Sequence, residues 1–120
     1  MTIEEYQELS KRTNADLGSE LMNALHMTLG LQTEVAEISD AYKKHIAYGK
    51  DLDLVNIKEE VGDTMFYIVN LCNNYNWDLM EICKTNIAKL QARYPEKFTE
   101  ENAINRDLDK EREILESPKQ

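Results

Sequence analysis

The stretch "LQTEVAEISDAYKKHIAYGKDLDLVNIKEEVGDTMF", residues 31–66, decides the fold. In its first part Leu31, Val35, Ile38 and Tyr42 recur by threes and fours, the period of an apolar helix face. Ile57, Val61 and Met65 repeat that period in the last part. The connection "AYGKDLDL" ends the first helix, because Gly49 suits a helix C-terminus and Asp53 can cap the next helix. Two helices joined by so short a turn pack as antiparallel neighbours.

Four acids interrupt these faces. Glu34 and Glu37 lie three apart on the first helix, and Glu60 and Asp63 three apart on the second. That spacing puts both members of a pair on one face. Both helices rise ~1.5 Å per residue, so residues equidistant from the turn lie side by side. Glu37 and Glu60 are equidistant from the point between Tyr48 and Gly49, and so are Glu34 and Asp63. The expectation is Glu37 opposite Glu60 and Glu34 opposite Asp63, with four carboxylates converging. Such charges repel in a partly buried site unless something compensates them. A hard cation does so, and magnesium commonly joins one or two carboxylates to substrate phosphates. The alternative is a solvated face, the usual fate of acids in a chain with 23 of them. The shared centre within apolar stripes weighs against it.

Other metals fit less well. A di-iron bundle wants Glu-x-x-His on two helices, yet Asn23 and Tyr42 stand three before His26 and His45. Zinc wants clustered His or Cys. Calcium loops and phosphate-cradling glycine loops are missing from the sequence.

Working outward, residues 3–16 read as a first helix carrying Ile3, Tyr6 and Leu9 on one side. Gly18 breaks the pattern and Ser19 caps a helix over 19–46 whose stripe begins Met22, Leu25, Leu29. The third helix spans 54–75, with Ile57, Val61, Met65, Ile68, Cys72 and Tyr75 facing the core. Asn76 is expected to cap a fourth helix to residue 93, with Met80, Cys83, Ile87 and Leu90 inside, and Pro95 ends it. No strand-like alternation competes, so the fold class is all-α, a four-helix bundle-like domain over 1–99. Residues 100–120 read as a charged helix or arm whose last residues are disordered.

The chain has 120 residues, 42% hydrophobic, enough for one core. Its net charge of −9 speaks against nucleic acid polymers as partners, which need clustered Lys and Arg. No apolar run reaches the ~20 residues of a membrane span, and the N-terminus has no signal-peptide layout, so cytoplasm is the expected compartment. Cys72 and Cys83 read as buried packing thiols.

The segments "LQTEVAEISDAYKK", "IKEEVGDTMFYIV" and "NIAKLQARYPEKF" together resemble the MazG-type all-α nucleoside triphosphate pyrophosphohydrolases. Glu34, Glu37, Glu60 and Asp63 match the family's ExxE…ExxD pattern, with 22 residues between the pairs. Asn86, Lys89, Leu90, Arg93, Tyr94 and Pro95 match its later basic motif, and "EYQELSKRT" its N-terminal segment. The resemblance implies cleavage of a nucleoside triphosphate between the α and β phosphates. It implies Mg²⁺, with Mn²⁺ as a substitute, held by the four acids, and a homodimer or homotetramer. Narrower readings are a dedicated dUTP or dCTP enzyme or a phosphoribosyl-nucleotide pyrophosphatase; a helical interaction module is the reading without catalysis.

Cations help where charge builds on the leaving pyrophosphate. Lys89 and Arg93 share a face at i, i+4, with Lys84 and Asn86 one turn earlier. They read either as phosphate-binding residues or as an ordinary basic helix end. Glu59 and Asp40 read as outer or solvent acids, Trp77 and the tyrosines as core or base-stacking groups, and His26 as a polar contact or part of a base pocket. Gly62, between two proposed ligands, predicts close helix approach or room for a phosphate.

Overall fold

A computed structural model describes residues 1–117; the disorder expected of the last residues falls at 118–120, outside the described residues. The fold is all-α, with no strand among the described residues. The helices are α1 (Ile3–Ser10), α2 (Glu20–Tyr48), α3 (Leu54–Asn74), α4 (Leu79–Arg93), α5 (Glu100–Ile104) and α6 (Leu108–Glu116), with a 3₁₀ turn at Lys11–Thr13. They form two compact units, one over Met1–Trp77 and one beginning at Asp78.

Local chemistry sets the helix ends. Thr2 and Glu5 exchange side-chain and backbone hydrogen bonds in a capping box that starts α1. Ser19 caps α2 by accepting from the Met22 amide, and Asp53 caps α3 by accepting from the Asn56 amide. Gly49 closes α2 at φ 65°, a left-handed conformation glycine adopts without a Cβ penalty. Helix α1 stops at Ser10, six residues short of the expected end. Beyond it, the Asp16 carboxylate accepts from the Gly18 amide at 2.9 Å and the Leu17 amide donates to Asn23 at 2.7 Å, so a side-chain-braced loop replaces the helix. Asn76 does not cap α4: it turns the chain at φ 55°, and Asp78 accepts from the Met80 amide instead.

In the first unit, α2 and α3 run antiparallel along their length and α1 lies on α3. The Asn74 side chain donates to Glu20 O at 2.9 Å at one end of the pair. Polar groups fasten α1: Gln7 donates to Asn73 at 3.0 Å and to Trp77 O, while Asn73 donates back to Gln7 O and to the buried Asn70. Helix α2 comes close to an α3 side chain at Gly30. A Cβ there would sit 2.2 Å from Tyr67 Cε1, so the Tyr67 ring takes the space a side chain would need.

Three expectations about packing need correction. The stripe on α2 is only partly covered among the described residues: Met22, Leu25, Leu29, Val35 and Tyr42 are exposed and Leu31 and Ile38 half-buried, while Ala24 and Met27 are buried. On α3, Cys72 and Val69 are buried but Val61 is 55% exposed, and Glu60 is the residue turned inward beside it. The antiparallel partner lies on the polar seam of α3, one residue round from the stripe. Cys83 is exposed, not buried, and the two cysteines form no disulfide.

Gly62 meets nothing within 4 Å at its Cβ position, so it makes no close helix approach. Its helical backbone then carries only the entropic cost of glycine. Gly62→Ala is expected to raise stability by about 1 kcal/mol, read as a higher urea midpoint with an unchanged slope.

In the second unit α4 packs on α6. The charged segment after residue 99 folds into two short helices capped by Thr99 and Asp107.

Candidate metal centre

The α2–α3 pairing brings the acids together. One carboxylate oxygen from each of Glu34, Glu37 and Glu60 lies within 4.8 Å of the others, and Glu59, Glu60 and Asp63 form a second such group. Glu60 belongs to both and is only 5% exposed. The expected register holds in outline, since Gly30 and Tyr67, in contact, are equidistant from the same point as Glu37 and Glu60. The detail differs from the expectation: Glu60 stands against both Glu34 and Glu37, and Asp63 is grouped with Glu60 and Glu59 rather than with Glu34.

The electrostatics are those of crowded like charges. The Glu34 carboxyl beside Glu60 raises its pKa, with burial adding to the effect. Glu60 in turn pushes Glu37 above its ordinary value, Asp63 contributing at longer range. Tyr6, from α1, is raised by burial and then by the negative charge of Asp63, so the N-terminal helix also borders this cluster. Among the described residues no Lys or Arg forms an ion pair with Glu34, Glu37, Glu60 or Asp63. Asp40, an outer candidate, is instead paired with Lys44 at 2.8 Å.

Glu34 Oε2 and Glu60 Oε2 are buried and have no hydrogen-bond partner. Buried carboxylate oxygens are costly without compensation. All the converging donors are hard oxygens, the set that suits a divalent cation such as magnesium. The residues present therefore fit such an ion.

The pKa directions give a prediction. Protonated Glu37 and Glu60 relieve the repulsion, so their stabilising contribution is present below the ordinary value of 4.5 and is lost as pH rises through their raised values. The metal-free chain is expected to lose urea stability over that rise, and excess Mg²⁺ to flatten the profile.

The basic residues lie on α4, in the second unit. Lys84 pairs with Glu81 at 3.4 Å, Asn86 is exposed, and Lys89 is half-buried. Arg93 is already engaged: its Nε donates to Glu111 Oε1 at 3.1 Å, its Nη2 contacts the same oxygen, and its guanidinium lies 5.6 Å from the Tyr94 ring centroid. Arg106 donates to both oxygens of Glu111, at 3.0 and 3.1 Å. Glu111 and Arg106 are not singled out by sequence reasoning, and Tyr6 is read there as an apolar-face or base-stacking residue, not as a neighbour of the acids. Nothing short-range marks them, since Glu111 meets Arg93 across 18 residues. His26 packs edge-on against Tyr67 at 6.4 Å, its Nδ1 buried without a partner.

Residues 22–98 match the family model of the MazG nucleotide pyrophosphohydrolase domain. The chain is similar to the "Gene 37 protein" of Mycobacterium phage L5, 32% identical over 75 residues, covering 57% of this chain and 63% of that protein. The chain thus spans less than two thirds of that relative's length. No solved structure matches.

Proposed function

The chain belongs to the MazG nucleotide pyrophosphohydrolase family, and on that premise we propose that it hydrolyses nucleoside triphosphates between the α and β phosphates. The products are a nucleoside monophosphate and pyrophosphate, an activity that controls nucleotide pools. The observation that carries this reading is the Glu34–Glu37–Glu60 group, with its buried and unpartnered oxygens, in a chain of this family.

Glu34, Glu37, Glu60 and Asp63 would hold Mg²⁺, or Mn²⁺ in its place. Bound there, the ion supplies neutralisation of triphosphate charge and polarisation of the scissile phosphate. Glu37 is the exposed member of its group, so it is the carboxylate that an attacking water reaches from solvent. It is then the group placed to accept the proton that water gives up as its oxygen bonds to the α phosphorus. The bridging oxygen leaves with the pyrophosphate, and Lys84, Asn86, Lys89 and Arg93 on α4 are the residues assigned to binding phosphate. Arg93 offers a planar fork and the lysines point charges.

The unit of function in this reading is a homodimer or homotetramer in the cytoplasm. The uncovered stripe of Leu21, Leu25 and Leu29 on α2 supports association, because apolar surface so arranged is usually buried against a partner. Among the described residues no helix is long and apolar enough to cross a membrane.

Pyrophosphate release from a panel of canonical and modified nucleoside triphosphates, with Mg²⁺, tests the reading. Monophosphate as co-product is the expected result, and the panel ranks general cleavage against a dedicated dUTP, dCTP or phosphoribosyl-nucleotide activity. Orthophosphate with a diphosphate product would refute the α–β cut. No turnover, with no metal-dependent shift in Tm, would leave a helical interaction module.

A further inference from the structure

Glu111 comes from α6, beyond the residues 22–98 that match the family, yet it holds the guanidinium of Arg93. Its carboxylate takes hydrogen bonds from Arg93 Nε and Nη2 and from Arg106 Nε and Nη2, so both its oxygens are occupied. Glu111 is 5% exposed and Arg93 14%, which makes this a buried clamp and not a surface pair. Arg106 and then Arg93 pull the Glu111 pKa down to about 2, so the clamp is charged at any working pH.

The donor inventory leaves something over. A guanidinium has five N–H donors, and Arg93 spends the edge formed by Nε and Nη2 on Glu111. Tyr94 is the other group beside it and also favours its charged form. Among the described residues no carboxylate pairs with its Nη1 end. Two guanidinium groups also face one carboxylate, so one positive charge is uncompensated in a partly buried place. Arg106 is 40% exposed, so this net positive group meets solvent and attracts an anion there. The remaining end of the Arg93 fork is shaped for two oxygens of a phosphate group.

We propose that Glu111, with Arg106 behind it, is a positioning residue that locks Arg93 so that the remaining end of its guanidinium binds a pyrophosphate group. This rests on the reading of Arg93 as a phosphate-binding residue. A locked arginine loses little rotamer freedom on binding, whereas a free one loses much.

The test measures the Kd of inorganic pyrophosphate, with Mg²⁺ present, by calorimetry for wild type, Arg93→Gln, Glu111→Gln, Glu111→Asp and Arg106→Gln, with the Tm of each. Glu111→Gln should weaken binding roughly tenfold, the scale of one charge-assisted contact. Glu111→Asp should restore part of it, Arg106→Gln should show a smaller loss in the same direction, and Arg93→Gln the largest. A Glu111→Gln protein with lowered Tm but wild-type Kd, beside a weakened Arg93→Gln, makes the clamp purely structural; the inference fails and the reading of Arg93 survives. Tighter binding by Glu111→Gln would make the carboxylate a competitor for phosphate, which also overturns the inference. Wild-type Kd in Arg93→Gln overturns both. If Glu111→Gln does not fold, Arg106→Gln decides, and an unchanged Kd there counts against the inference.

Discussion

Glu60→Gln is expected to abolish turnover and, in the absence of metal, to make the protein more heat-stable. The two effects have one cause. Glu60 is the carboxylate shared by both acidic groups and the most enclosed of them. Its charge is held against Glu34 in a buried place, and its raised pKa records the cost. Glutamine keeps the shape, removes a negative charge, and supplies an N–H₂ that can donate to the orphaned Glu34 Oε2. The unloaded fold is relieved, as happens where a site is built at the expense of stability. The same change removes an anionic oxygen ligand, so pyrophosphate release should fall by at least about a hundredfold. Melting curves with and without Mg²⁺ separate these effects. Wild type should start lower and rise with metal, because a ligand that binds only the folded state stabilises it. Glu60→Gln should start higher and barely respond. A variant that melts lower than wild type without metal would mean that Glu60 stabilises the apo fold, and the strained-cluster account would fail.

What the sequence made legible was local or periodic. Ser19, Gly49 and Asp53 announce helix ends through their own side chains or backbone freedom, and all three stand where expected. The approximate register of α2 on α3 came from the length of the turn between them, since rise per residue is fixed. The acids were found because they break an apolar period, and the structure gathers them. The rotation of the helices about their own axes was not legible. One residue of difference on α3 turns Glu60 inward and leaves Val61 outside, and an apolar stripe does not say which partner covers it. On α2 most of that stripe is exposed among the described residues, and hydrophobic periodicity cannot tell a surface buried in the fold from one buried elsewhere. Glu111 was invisible for another reason. In a segment dense with charge, nothing distinguishes the acid that a distant arginine selects from those left in water.

The glycines make the same point and yield the second large prediction. Gly62 drew notice for lying between two acids, yet its surroundings are open; Gly30 carried no such flag, and there α2 leaves no room for a side chain against Tyr67 of α3. An added Cβ at residue 30 would stand 2.2 Å from Tyr67 Cε1 and 2.5 Å from both Cδ1 and Cζ, far inside contact distance. The ring has little room to retreat, with Phe66 edge-on at 5.4 Å and His26 edge-on at 6.4 Å. Overpacking of this kind costs about 1–3 kcal/mol. Alanine recovers about 1 kcal/mol of helix propensity, so the balance still favours glycine. Gly30→Ala is therefore expected to lower the urea midpoint. It should also cut pyrophosphate release beyond what lost stability explains, because residue 30 lies one turn from Glu34 and any splaying of α2 from α3 pulls the acids apart. The cause is checked by a double-mutant cycle with Tyr67→Leu, which removes the ring. If the ring is the obstacle, Gly30→Ala should be much less harmful in the Tyr67→Leu background than alone. Equal costs in both backgrounds would place the strain elsewhere in the helix pair and deny Tyr67 its part in setting the distance between the two rows of carboxylates.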